Sequence, residues 1–340
     1  MRVLVTGASG LVGSHTVAAL RARGHEVRAF VREPARLERA LAPLGAGGIE
    51  SARGDVADRS AVERALAGCQ AVVHAAAVVS LDARRAAELE RTNAEGASNV
   101  LEAALKAGLD PVVHVSSLSA LFPPTGPRLD ADEPVKEPRG GYARSKAAAE
   151  RIARRLQTAG APLVIFYPGG VWGPHHPSLG EGLATVMRFV RMGFLPIVPG
   201  GIPVIDARDL GAALAAALRP GAGPRRYMAG GHLLHTRELR ALLARLTGRR
   251  FPGLRVPGAA LRVAGLLGDL ASRAGWTTGV TREAMGTLTR AVPTDDSKLE
   301  SELGVALRPV EETLRDMLRW MIEQGLLTPR QGGVLAAARA

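Results

Sequence analysis

Short apolar runs alternate with stretches of helical period along the first two-thirds of the chain. Val3-Leu4-Val5 is continuous and apolar, as in a strand buried on both faces. A glycine turn follows, and then Leu11 to Leu20 carries apolar residues at helical spacing. Further strands are predicted over 26–31, 49–53, 71–74 and 112–115. Helices are predicted from near Ser60, over 83–107 up to Gly108, and from Tyr142 to about Gly160. Later the pattern gives a strand at 204–206, a helix at 210–218, a strand at 226–229 and a helix at 237–246. The segment 257–324 reads as mostly helical. Strands alternating with helices predict an α/β fold, a doubly wound parallel sheet of about seven strands.

Composition adds limits. The 340 residues are 46% hydrophobic and 22% charged, enough for one large or two ordinary domains. Cys69 is the one cysteine, so no internal disulfide can form and a reducing, cytoplasmic setting is expected. The chain starts directly on strand residues, so no leader peptide is expected. The net charge of +12 comes from 44 Lys+Arg against 32 Asp+Glu. The arginines are scattered or paired, as in Arg154-Arg155 and Arg249-Arg250, and aromatics are only 4%. That reads as solvated faces, not as a nucleic-acid surface. The apolar segment 259–270 is short and interrupted by Arg262 and Asp269, so no integral membrane segment is expected. His175-His176 are adjacent, with no carboxylate spaced to help, so no metal site is expected.

Strand, glycine turn and helix in that order form a mononucleotide-binding unit. Gly7 allows the tight turn, Gly10 lets a pyrophosphate approach the backbone, and Gly13 lets the helix sit close on the strand. The free N–H groups of the helix start would hold phosphate. Arg32, at the end of the second strand, stands where an acid would bond a ribose 2′-hydroxyl and an arginine suits a 2′-phosphate. It leans the cofactor towards NADP, with Arg36 or Arg39 as helpers; Glu33 next to it keeps NAD open. Asp55 either accepts from the adenine amino group or caps the helix that follows. Ala75-Ala76-Ala77 leave room for a ligand at the end of the fourth strand, and His74 reads as structural.

Tyr142 and Lys146 are four residues apart and share a helical face. An ammonium near a phenol lowers its pKa, which predicts an acid or base usable at neutral pH. Ser117 ends the fifth strand, where its hydroxyl could bond a carbonyl oxygen. The loop 122–141 between them, rich in Pro and Gly, is of a length that is usually functional or mobile.

Matching stretches run almost end to end: Thr6-Gly7-Ala8-Ser9-Gly10-Leu11-Val12-Gly13, Gly54-Asp55-Val56, Val73-His74-Ala75-Ala76-Ala77, Asn93-Ala94-Glu95-Gly96, Val115-Ser116-Ser117, Tyr142-Ala143-Arg144-Ser145-Lys146, Tyr167-Pro168-Gly169-Gly170-Val171 and Ile205-Asp206-Ala207-Arg208-Asp209-Leu210. On these the chain resembles the extended short-chain dehydrogenase/reductase family, in its NAD(P)-dependent epimerase/dehydratase group, and within that the dihydroflavonol-4-reductase-like enzymes.

The resemblance implies a Rossmann-type domain over 1–167, to which 204–219 returns. It also implies a smaller, mostly helical substrate lobe over 168–330 and a tail over 331–340. Tyr142 would be the catalytic acid/base. Lys146 would lower its pKa and bond the nicotinamide ribose. Ser117 would polarise the substrate, with Ser116 and Ser119 as alternatives. Gly7, Ser9, Gly10, Leu11, Val12, Gly13, Arg32, Asp55, Val56, Ala75, Ala76, Ala77, Asn93, Tyr142, Lys146, Pro168 and Val171 would line the cofactor. Tyr167 stands where the family often has an arginine. The expected reaction is hydride transfer between NADP(H) and a small ketone or secondary alcohol. An NAD-dependent sugar-nucleotide epimerase and a non-catalytic dinucleotide sensor are the alternatives. A homodimer through the helices 83–107 and 142–160 is the family's habit.

Overall fold

The computed structural model describes residues 1–80, 83–138, 140–273 and 280–337. Ten strands are present among them: β1 (Arg2–Thr6), β2 (Glu26–Val31), β3 (Glu50–Arg53), β4 (Ala71–His74), β5 (Val112–Val115), β6 (Leu163–Pro168), β7 (Gly170–Trp172), β8 (Gly201–Asp206), β9 (Arg225–Ala229) and β10 (His232–His235). Seven form one sheet in the order β3-β2-β1-β4-β5-β6-β9, with every pairing parallel. The chain runs outward from β1 to β3, then returns to β4 on β1's other side. That reversal opens a crevice at the carboxyl ends of β1 and β4, where doubly wound sheets bind ligands.

Alternation along the strands explains the two buried layers. Val3, Val5 and Val73 face one set of helices, while Leu4, Phe30 and Val72 face the other. This two-sided burial is why these strands read as unbroken apolar runs. Helix Ala207–Ala216 packs against helix Leu11–Ala22, so the segment after β8 rejoins the first layer. β8 itself belongs to a separate three-stranded sheet, β10-β8-β7.

The second lobe has its own core, including Trp172, Leu183, Leu243, Leu314, Met317 and Met321. Leu335, in the short helix Val334–Ala337, is buried in it, so the segment read as a tail is folded onto the lobe as far as residue 337. The helix expected over 83–107 is interrupted. A short helix, Ala86–Leu89, passes through a π-helical turn at Glu90–Glu95 into helix Gly96–Lys106. Gly96 lies against Val56, where a Cβ would come within 2.6 Å of its Cγ2. The helix beginning near Ser60 is Arg59–Leu66. Among the described residues no helix is long and apolar enough to cross a membrane.

Candidate active site

The glycine turn is built by close approach. Gly7 adopts φ 71°, and a Cβ there would lie 2.7 Å from the Ala76 backbone. Gly13 rests on the Gly7 carbonyl so closely that a Cβ would overlap it. Helix Leu11–Ala22 has Gly10 as its N-cap, no side-chain cap and no acid in its first turn. The N–H groups around Leu11 and Val12 therefore carry an uncancelled partial positive charge beside Ser9. Ala75 and Ala76 are partly buried and Ala77 is exposed at the end of β4. A cradle of small residues facing an uncapped helix start fits a pyrophosphate.

Beneath it, Thr6 Oγ1 lies 2.8 Å from His74 Nδ1 and accepts the Ala76 N–H at 3.2 Å. Burial, then the Lys146 charge, pushes the His74 imidazolium down to about 3, so the ring is neutral. It stacks on His114 at 5.5 Å, and both rings are buried. His74 is thus a packing residue.

Arg32 is exposed just past β2, and the neighbouring acid Glu33 is engaged by Arg36 at 2.9 Å. Of the two roles open to Asp55, the cap belongs to another residue: Asp58 accepts the Ala61 N–H at 3.1 Å and starts helix Arg59–Leu66. Asp55 instead accepts the Ala57 N–H at 3.0 Å and shapes the turn after β3. Val56 is buried, and its carbonyl accepts from Asn99 at 3.0 Å. Asn93 is spent within the chain. Its amide bonds Val78 in both directions, at 2.8 and 2.9 Å, and donates to Ser145 at 3.0 Å. It pins the loop after β4 to the helix that carries Tyr142.

That helix is Gly141–Thr158. Lys146 is buried and its Nζ donates to the Val115 carbonyl at 2.9 Å. Burial pushes its pKa down to about 8, while the Glu150 carboxylate one turn along works to raise it. The Ser117 side chain lies close enough to the Tyr142 phenol to act on its ionisation. Ser117 is therefore the serine at the phenol. The Ser116 hydroxyl is buried with no partner, and Ser119 offers its backbone N–H to the Ser117 oxygen at 3.2 Å.

The expected lowering of the Tyr142 pKa is not what the arrangement produces. Burial raises it, the Ser117 hydroxyl opposes the rise, and the Glu283 carboxylate adds to it. The reason is geometric. The lysine ammonium is held by a backbone carbonyl, and the charge felt by the phenol is a carboxylate.

Two further groups escaped sequence reasoning. Tyr167 is buried and donates to Glu150 at 2.7 Å, while Arg154 reaches Glu150 at 2.7 Å and the Tyr167 oxygen at 3.2 Å. The tyrosine in place of an arginine thus shares a site with a guanidinium from the next turn of the helix. Glu283, from helix Arg282–Arg290, accepts the Ala143 N–H at 3.0 Å. No signal linked it to Tyr142, since the contact spans 140 residues.

Beyond Pro168 the chain leaves the large sheet at Gly169, where a Cβ would lie 2.6 Å from the carbonyls of Pro203 and Gly230. Val171, in β7, is partly buried against the first core. Among the described residues no group of three or more His, Cys, Asp or Glu could hold a metal ion.

The fold and the crevice place the protein among Rossmann-type dinucleotide binders of the extended short-chain dehydrogenase/reductase class. The model of the NAD dependent epimerase/dehydratase family matches residues 3–230, and the chain belongs to that family. It is 30% identical over 335 residues to sterol demethylase protein B of Methylococcus capsulatus, covering 96% of this chain and 100% of that one. It is 32% identical over 330 residues to a 4-hydroxy-2-methyl-3-oxo-4-farnesyl-3,4-dihydroquinoline-1-oxide ketoreductase of Stigmatella aurantiaca, covering 94% and 96%. Among solved structures, dTDP-glucose 4,6-dehydratase DesIV of Streptomyces venezuelae, with NAD bound, superposes with a TM-score of 0.73 at 26% identity, covering 97% and 100%. The protein is therefore an NAD(P)-dependent oxidoreductase or epimerase of this family.

Proposed function

We propose that the protein is a reductase that transfers hydride reversibly between NADP(H) and a ketone or secondary alcohol, with Tyr142 as acid/base. The observation that carries this is the gathering of three side chains at the carboxyl end of β5: Lys146 is tied to the Val115 carbonyl, and Ser117, just past the strand, lies close enough to act on the Tyr142 phenol. A bound nicotinamide supplies hydride for the carbonyl carbon. Ser117 holds the carbonyl oxygen and steadies its growing negative charge. Tyr142 gives that oxygen its proton. A phenol kept above its ordinary pKa is in the donor form throughout the neutral range. Lys146 fixes the helix to β5 through the Val115 carbonyl.

NADP is supported by exposed Arg32, with the competing acid Glu33 already paired to Arg36. The ketoreductase of Stigmatella aurantiaca, matched over nearly the whole chain, supports a carbonyl substrate. Sugar-nucleotide epimerisation would use the same three side chains, but Arg32 weighs against it. A non-catalytic sensor would have no need of Ser117, Tyr142 and Lys146 together.

The test is titration of nucleotide-stripped protein with NADPH and NADH, then a carbonyl panel with the preferred one. Tighter NADPH binding with ketone-dependent NADPH consumption supports the reading. Tightly retained NAD with turnover of sugar nucleotides favours the epimerase. Binding without turnover of either substrate class leaves the sensor.

A further inference from the structure

The turn that opens the Tyr142 helix is completed by a residue 140 positions further along the chain. Its N-cap is Gly140, which has no side chain to offer, and no residue of the helix's own segment caps it. An N-cap side chain ordinarily accepts the N–H of the second or third helical residue. Here Ala143 is the third residue, and its N–H goes to Glu283 Oε1 at 3.0 Å. A Cβ on Gly140 would run into the Glu283 carboxylate, so that carboxylate fills the space a local cap would occupy.

Glu283 is itself firmly placed. It is the second residue of helix Arg282–Arg290, which Thr281 starts by accepting the Ala284 N–H at 3.1 Å. Asp269, in helix Gly258–Arg273, accepts the Arg282 N–H at 3.2 Å and pairs with its guanidinium. A carboxylate at a helix N-terminus is also favoured by the partial positive charge there.

We propose that Glu283 is a positioning residue: it caps the catalytic helix from helix Arg282–Arg290, so that Tyr142 is held beside Ser117 only while that later helix is seated. This rests on the reading of Tyr142 as the proton donor. The charged groups that face Glu283 are Arg144 on the Tyr142 helix and Asp269 on helix Gly258–Arg273. Burial, opposed by the Ala143 N–H, raises its carboxyl above the usual range; Asp269 adds to the rise and Arg144 opposes it. The groups that face Tyr142 are Ser117 and Glu283. An ionised Glu283 therefore adds to the rise that burial already gives the phenol.

Two full-length variants separate the parts. Glu283→Gln keeps an acceptor for Ala143 and loses the charge, whereas Glu283→Ala loses both. Phenol ionisation is followed by ultraviolet absorbance, with Tyr142→Phe identifying the Tyr142 component. Glu283→Gln should move that component to lower pH. With a carbonyl substrate, Glu283→Ala should lose roughly tenfold in kcat through misplacement of Tyr142. NADPH affinity should stay close to wild type, and Glu283→Gln should recover most of the rate. A Tyr142 component unmoved in folded Glu283→Gln overturns the proposal, as does wild-type kcat in Glu283→Ala. If the wild-type protein reduces no carbonyl, the reductase reading fails, and the absorbance titration still decides the role of Glu283.

Discussion

Lys146 donates to the backbone carbonyl of Val115 at 2.9 Å, which ties the helix bearing Tyr142 to the strand that leads to Ser117. The bond puts an ammonium where there is almost no water, and its cost has a measurable signature. Lys146 sits at about 8 in the folded chain, below the ordinary lysine value near 10.4. Between those values the unfolded chain binds more protons, so stability should rise as pH climbs from about 8 towards 10. Urea unfolding across that range should show the rise in wild type, and Lys146→Met should flatten it.

Glu150 opposes that depression from one helical turn away. In Glu150→Gln the Lys146 ammonium should lose its proton at lower pH, by roughly one unit. The pH profile of kcat/KM reads this directly as a limb that moves towards neutrality.

Asp206 anchors the second lobe. Its side chain is fully buried. It accepts from the Arg208 backbone at 2.8 Å, the Arg208 guanidinium at 2.9 and 2.7 Å and the Thr313 hydroxyl at 2.8 Å. Burial works to raise its pKa, but the Arg208 and Thr313 bonds outweigh it and hold the carboxyl below the usual range. Its stabilisation is therefore complete above the unfolded value near 4 and is lost as pH falls through the folded one. Asp206→Ala should cost about 1–3 kcal/mol at pH 7, measured by denaturant titration, because the Arg208 N–H and the Thr313 hydroxyl lose their acceptor while the Arg208 guanidinium keeps Asp316 at 2.7 Å.

Gly13→Ala forces a methyl group into the Gly7 carbonyl. Overpacking of this kind costs about 1–3 kcal/mol. Because the displaced atoms form the phosphate cradle, NADPH affinity should fall with stability, and isothermal titration beside a melting curve measures both.

Arg32→Glu should exchange the cofactor preference. Losing a charge-assisted bond worth about 1.5–3 kcal/mol weakens NADPH binding roughly 10- to 100-fold, while NADH binding should hold or improve. Titration of both cofactors against the variant checks the sign.

What the sequence revealed follows from how local each signal is. β4 and β5 stand where their apolar runs end, because both faces of each strand are buried. Gly7, Gly10 and Gly13 announced the turn, since each sits where a side chain would crowd the neighbouring backbone. β7, Gly-Val-Trp, and β10, His-Leu-Leu-His, lack the unbroken apolar run that marks β4 and β5. The break at Asn93 depends on bonds to Val78 and Ser145, which no helical pattern displays. The Tyr142–Lys146 spacing correctly put both residues on one helix, but where the ammonium goes depends on β5. Glu283 was illegible for the same reason: its partner lies 140 residues away.

The decisive measurement is Tyr142→Phe, followed by NADPH titration and by carbonyl-dependent NADPH oxidation on the same preparation. With the phenol acting as proton donor, the rate should drop by roughly 10²- to 10⁴-fold, while NADPH binding stays close to wild type. A variant that keeps a near wild-type rate would contradict the assignment of Tyr142.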